Sequence, residues 1–351
     1  MMFARRRWMA RARLQSRVRL TAYQETFPSY RKGEPVPIAR DDEGARREND
    51  RPQTGPGHPI PDLDPGRRKR REKILAGVHA VEAIPTAAVS VLEALADPDV
   101  DLRAVAPKIE YDPGLTANLL RMVNSPYFGF HRKISSVREA CIRLGIDKVR
   151  NLVIAAAVSP LARRPIKGYA LPAGALWEHS VATAVATEKL SGILEIPPEP
   201  HTFTTAILHD IGKVVMGTFI EVNGDPILHL AKEQNVDFDD AERRVLGVDH
   251  AEVGAALLES WNLPHAIVDV VRWHHRPEEG PAGDRTLDIV HCADALSLMS
   301  GVGTGQDGLS YSISQEVTSR LGLTAEISER AICDTLTAMA EMRELFSLTS
   351  V

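Results

Sequence analysis

Within TTAILHDIGKVV, residues 204–215, a histidine and an aspartate stand side by side at His209 and Asp210 between apolar neighbours Leu208 and Ile211. Removing an imidazole and a carboxylate from water is costly unless each finds a partner. A cation is one such partner, because neutral imidazole and carboxylate are ordinary ligands for Zn, Mn, Fe or Ni. An aspartate that only caps a helix or accepts a proton from a neighbour would satisfy the same stretch. The doublet by itself leaves both readings open, and the rest of the chain decides between them.

The apolar positions elsewhere follow a helical period, and strand-like alternation is absent. Ile74, Leu75, Val78, Val81 and Ile84 repeat at helical spacing before Pro85, and residues 87–96 form a second helix ending at Asp97-Pro98. Asp101 caps LRAVAPKIE, and Asp112 followed by Pro113 opens TANLLRMVN. Ser136 and Glu139 make a capping box for VREACIRL, Gly145 closes it, and Asp147 is expected to cap KVRNLVIAAAV. Pro160, Pro165, Gly168, Pro172 and Gly174 mark a boundary. Beyond it come helices over 176–194, 202–219, DDAERRVLG, HAEVGAALLESW behind Asp249 and Glu252, HAIVDVVRWHH behind Pro264, and 286–299, with two more before the end.

The expected fold is therefore all-α, an N-terminal helical bundle followed by a second bundle. Its expected divisions are a basic and Pro/Gly-rich extension over 1–72, a helical subdomain over 73–168, a second over 169–300, and C-terminal helices over 301–351. The first 24 residues carry seven arginines and no acid, and the stretch that follows is too poor in large apolar residues to offset its ordering entropy. With 44% hydrophobic residues in 351, the remainder can bury a substantial core. No apolar run reaches the roughly 18 residues of a membrane span. Three cysteines without CxxC spacing fit a reducing cytoplasm and supply neither a disulfide framework nor a cysteine-built zinc site.

The helices of the second bundle each offer a ligand in turn. These are His179 in LWEHS, His209 and Asp210 in LHDIGK, His250 in VDHAEVG, His274 and His275 in WHHRP, and Asp294 in HCADAL. Bundles build metal sites from side chains on facing helices. A scattered helical histidine says little; an ordered set of five with two aspartates points to a shared centre.

The order H, HD, H, HH, D resembles the HD superfamily of metal-dependent phosphohydrolases. The resemblance implies Asp210 as a bridging ligand, with His179, His209 and Asp294 around one divalent transition metal (Mn, Fe, Ni or Zn) and His250, His274 and His275 around a second. It also implies that Asp210 and Lys213 are the catalytic pair, Lys213 facing a phosphate or a metal-bound water. Two cations about 3.5 to 4 Å apart can activate water and neutralise charge on a phosphoryl group. IPTAAVSVLEAL, DPGLTANLLRMVNSPYFGF and ISSVREACIRLGIDKVRNLV, leading into LWEHS and LHDIGK, narrow the resemblance to the HDOD family of bacterial signalling output domains, over about residues 73–300. Many members lack the full ligand set, whereas every position is filled here. HHRPEEGPAGD contains no GYP, which separates the chain from the cyclic-di-GMP-hydrolysing HD-GYP branch.

The resemblance implies a bacterial signal-transduction module with an intact metal site, acting through a signalling protein or nucleotide. A working phosphohydrolase acting on a nucleotide or cyclic nucleotide is the alternative. A third reading concerns the basic stretch 121–167, in which Arg121, Arg132, Lys133, Arg138, Arg143, Lys148 and Arg150 flank a helix, a glycine turn and a second helix. That arrangement suits nucleic-acid binding, although packing alone accounts for its apolar positions. His201, His229, His265 and His291 fall outside the ordered set, with His291 expected to support Asp294 from one turn away. No GxSxG elbow, phosphate-cradling glycine loop or dinucleotide fingerprint occurs in a suitable context.

Overall fold

The computed structural model describes residues 64–342 apart from 82–83, 96, 98–99, 126–127, 306 and 308–310, and the backbone alone over 221–225. The arginine-rich segment 1–24, and the Pro/Gly-rich segment as far as residue 63, lie outside the described residues. Every regular element among the described residues is helical, apart from one isolated bridge between Ile166 and Leu171. None of these helices is long and apolar enough to cross a membrane.

Helix α1 (Pro65–Gly77) begins ahead of the expected Lys73, because the Asp64 carboxylate accepts the Gly66 and Arg67 amides at 2.9 and 3.0 Å and Pro65 occupies the first turn. Its arginines tie it to the second half of the chain. Arg71 pairs with Glu252, and Arg70 Nε donates to the Val245 carbonyl at 3.0 Å.

Five helices follow: α2 (Thr86–Ala94), α3 (Leu102–Glu110), α4 (Pro113–Val123), α5 (Val137–Leu144) and α6 (Ile146–Ala162). Asp101, Asp112 and Ser136 cap α3, α4 and α5 through their side chains as the sequence implies. Asp147 does not cap α6. The helix starts one residue before it, at the left-handed Gly145 (φ 78°), and Asp147 lies in the first turn, where its charge still favours the amide end of the helix. Of the basic residues, Arg132, Lys133, Arg138, Arg143 and Lys148 are exposed, while Arg121 and Arg150 are half-buried. Arg143 pairs with Glu139 at 2.9 Å and Arg150 with Asp147 at 3.2 Å.

The second group is built around α7 (Ala175–Leu194), which is packed by α8 (Thr202–Leu208), α13 (Arg285–Ser300) and α15 (Ala325–Glu341). Around these lie α9 (Gly212–Gln234), α10 (Phe238–Leu246), α11 (His250–Ser260), α12 (His265–Trp273) and α14 (Gln315–Leu321). The helix expected over 202–219 is broken. Ile211 and Lys213 donate backwards over three residues, to Leu208 and Asp210, and α9 restarts at Gly212. A Cβ on Gly212 would stand 1.9 Å from the His250 carbonyl oxygen and 2.5 Å from the Gly254 amide, so the backbones of α9 and α11 touch there.

The main apolar core is continuous across the expected boundary at 168, running from Val91, Leu119 and Val153 to Ala184, Leu208 and Val253. A smaller core joins α7, α13, α14 and α15 through Leu190, Ile289, Val317 and Ile332.

Candidate metal centre

The seven side chains singled out by the sequence converge. His179 comes from the second turn of α7 and Asp294 from the middle of α13; the others stand at helix ends. His209 follows α8 and Asp210 occupies the turn after it, His250 opens α11, and His274 and His275 follow α12. Helix ends place these side chains because the break in the ladder lets adjacent residues turn inward together, which a continuous helix forbids.

His179, His209 and Asp294 form one group and Asp210, His250, His274 and His275 another, with the ligand atoms of each group within 4.8 Å of one another. Asp210 touches both. Its Oδ2 lies 3.5 Å from His179 Nε2 and 3.5 Å from His209 Nε2, while its Oδ1 lies 3.2 Å from His250 Nε2 and 3.8 Å from His274 Nε2. Asp294 Oδ1 stands 2.9 Å from His179 Nε2 and 3.4 Å from His209 Nε2, and its Oδ2 is 4.0 Å from His275 Nδ1. Nitrogen also faces nitrogen: His179 and His209 approach to 3.2 Å, and His250 and His275 to 2.9 Å.

The outer nitrogens are mostly engaged, which orients the inner ones. His209 Nδ1 donates to the Ala206 carbonyl at 2.8 Å and His274 Nδ1 to the Val271 carbonyl at 2.7 Å. His250 Nδ1 donates to Glu242 Oε2 at 2.8 Å; the same oxygen accepts the His250 amide at 3.0 Å, and the Tyr169 hydroxyl donates to the other. His291 does not reach Asp294 through a hydrogen bond: its Nδ1 donates to the His274 carbonyl at 2.6 Å and its Nε2 accepts the Ser314 amide at 2.9 Å. Glu242, Tyr169, Asp307 and Tyr311 were not legible as parts of the site, since nothing in their local sequence separates them from ordinary surface acids and core aromatics.

Lys213 is enclosed. Its ammonium lies 2.8 Å from Asp210 Oδ2 and 2.7 Å from Asp307 Oδ2, between the Tyr169 and Tyr311 rings at 5.5 and 5.4 Å. The two carboxylates raise its pKa despite burial, so it is a fixed positive charge. The Tyr311 ring stacks on His275 at 4.3 Å and 3°. Gly303 crosses His179 so closely that a Cβ would be 2.6 Å from the histidine Cβ. Gly303, Asp307 and Tyr311 thus cover the centre, and all of its residues but the half-buried His275 are buried.

The residues fit a divalent cation by two observations. Among the described residues seven buried side-chain polar atoms make no hydrogen bond of good geometry, and four of them, His179 Nδ1, Asp210 Oδ1, His274 Nε2 and Asp294 Oδ1, belong to this centre. The spacing matches as well: with ligands about 2.1 Å from a metal, neighbouring ligand atoms stand about 3.0 Å apart in octahedral and about 3.4 Å apart in tetrahedral geometry.

Known proteins share this arrangement of helices. An HDOD domain protein of unknown function from Geobacter sulfurreducens superposes with a TM-score of 0.63 at 26% identity, over 80% of this chain and 99% of that one. A candidate signal transduction protein from Marinobacter aquaeolei superposes with a TM-score of 0.59 at 17% identity, over 81% of this chain and 66% of that one. An uncharacterized protein from Treponema pallidum is 26% identical over 207 residues, 58% of this chain. The match spans only 39% of that relative's length. The HDOD domain pattern itself matches residues 81–277, from the first bundle through His179, the His209-Asp210 doublet, His250 and the His274-His275 pair. Because that match takes in more than half of the chain, the protein belongs to the HDOD domain family.

Proposed function

We propose that the chain is a bacterial signal-transduction module whose centre holds one or two divalent transition-metal ions drawn from Mn, Fe, Ni and Zn. His179, His209 and Asp294 would hold one ion, His250, His274 and His275 the other, and Asp210 would bridge them. One observation carries the reading: seven candidate ligand side chains meet in two adjoining groups whose atoms lie within 4.8 Å of one another, and three of the inward-facing atoms make no hydrogen bond of good geometry. The name of the Marinobacter aquaeolei neighbour accords with signalling. The sequence, with three cysteines and no CxxC spacing, accords with a reducing cytoplasm.

The complete ligand set favours a second reading, a metal-dependent phosphohydrolase acting on a nucleotide. Bound ions would there supply an activated water and neutralise phosphoryl charge. The chain's own groups fit that chemistry less well. Lys213 is committed to Asp210 and Asp307, while Tyr311 stacks on His275 and Gly303 lies against His179, which leaves the centre covered.

Metal analysis of protein purified without chelator should give one or two equivalents. Asp210→Ala, which removes the shared ligand, should give less than half an equivalent while the helical circular dichroism persists. Unchanged metal content in Asp210→Ala would overturn the centre. Release of phosphate from a nucleotide panel in Mn or Fe, abolished by the same substitution, would replace the module reading with the hydrolase.

A further inference from the structure

Three histidines of the centre hold their outer nitrogen on an acceptor: Nδ1 of His209 on the Ala206 carbonyl, of His274 on the Val271 carbonyl and of His250 on Glu242. His179 presents its Nε2 to Asp294 and Asp210 in the same way, at 2.9 and 3.5 Å. Its Nδ1, however, is buried and makes no hydrogen bond of good geometry. Thr183 Oγ1 is in the same condition, on a fully buried residue. Thr183 follows His179 by four positions in α7, so the two side chains lie one above the other on a single face of the helix. Residues so spaced have Cβ atoms about 5 to 6 Å apart.

Leaving a buried ring nitrogen or hydroxyl unbonded costs free energy that folded chains ordinarily avoid, and two such atoms one helical turn apart can satisfy each other. Of the residues three or four positions from His179 on α7, namely Ala175, Leu176, Ala182 and Thr183, only Thr183 carries a polar side chain. The two atoms do not bond each other directly, and a separation of one turn suits a single water with a polar group on either side. We propose that Thr183 is a positioning residue for the metal centre. His179 Nδ1–H donates to one buried water, the water donates to Thr183 Oγ1, and the His179 Nε2 lone pair is thereby held toward Asp210 and Asp294. The inference rests on the reading of the seven side chains as a metal centre. A ring whose outer N–H is held in this way keeps one tautomer and one orientation, and is a more basic ligand. The next hydroxyl along the helix is already occupied, since Thr187 Oγ1 donates to the Ala184 carbonyl at 2.7 Å.

Chelator competition with the full chain, for Zn and for Mn, tests the role alongside urea titration of the metal-free chain. Thr183→Val keeps the shape and removes the hydroxyl, and should weaken binding of the ion that the parent holds by about tenfold. Thr183→Ser keeps the hydroxyl and removes a methyl group, and should bind within about twofold of the parent. A residue that mattered only for packing would give the opposite order, serine being the poorer fit, and that order would overturn the proposal. Thr187→Val, one turn further along, should leave affinity unchanged. In the metal-free chain Thr183→Val should lower the urea midpoint, because a bonded hydroxyl is lost. A midpoint that rises would mean that the hydroxyl had no partner to lose, and would sink the proposal without reference to any metal. Thr183→Val that binds the ion as tightly as the parent, in a chain whose Asp210→Ala variant has lost it, would remove the role and leave the centre standing. A parent chain that holds neither ion would remove the centre and this role with it.

Discussion

His250 has both ring nitrogens committed, one to the centre and one to a carboxylate with no exposure of its own. Glu242 takes up the His250 side chain and amide together, and the Tyr169 hydroxyl fixes its other oxygen, so the imidazole can neither rotate nor change tautomer cheaply. Glu242→Gln keeps the volume and loses the charge. It should weaken metal binding by about ten to a hundredfold while leaving the helical fold in place, a split that chelator competition and circular dichroism can read together. Without a cation, burial works against a charged ring at His209 and His250. The carboxylates outweigh it, Asp210 and Asp294 at the first and Glu242 and Asp210 at the second, and raise both to about 10. Burial, aided by the charge on His209, drives His274 the other way to about 3. At neutral pH the metal-free centre therefore holds protons on His209 and His250, and each must leave before its ring can coordinate. Because rising pH removes the competitor, apparent affinity should increase about tenfold per pH unit for each ion from about pH 6.5 to about pH 8.5. An affinity that stays flat over that range would mean that these two rings do not ligate.

Among the elements, the junction of α8 and α9 carries the most consequence, because it sets His209 and Asp210 side by side and brings Gly212 against the backbone of α11. Gly212→Ala should cost about 3 kcal/mol or more and release the metal, since the added carbon cannot be accommodated without moving the His250 carbonyl. Gly192→Ala is the control. It lies in α7 with nothing within 4 Å of the new carbon, and should raise stability by about 0.5 to 1 kcal/mol in the same urea titration. The contrast also explains what the sequence made legible. Caps at Asp101, Asp112, Ser136 and Asp249 are interactions within three residues, so they can be read locally. The seven converging side chains were legible through their order along the chain. The break at 209–211 was not, because the apolar rhythm of Leu208, Ile211 and Val215 continues through it and the reason for it is a backbone forty residues away in sequence. Glu242 stayed hidden for a similar reason: in DDAERRVL an acid reads as solvated, and only the tertiary fold turns it inward to His250. Asp64-Pro65 did carry a start signal, masked by the arginines behind it.

At the scale of the whole molecule, the apolar core passes from Val91 and Val153 in the first bundle to Leu208 and Val253 in the second without a break. Helices that share one core lose their packing together, so the two bundles should unfold in a single transition. Trp177, Trp261 and Trp273 report on the second bundle, whereas helical circular dichroism reports on both. The two signals should therefore give the same urea midpoint. A cation that binds only the folded chain should raise that midpoint, adding about 2.7 kcal/mol of stability when present at a hundred times its dissociation constant. Because the core is common, the increase should appear in both signals alike, and Asp210→Ala should remove it. Two separate midpoints, or a cation effect confined to the fluorescence, would mean that the first bundle folds apart from the metal centre.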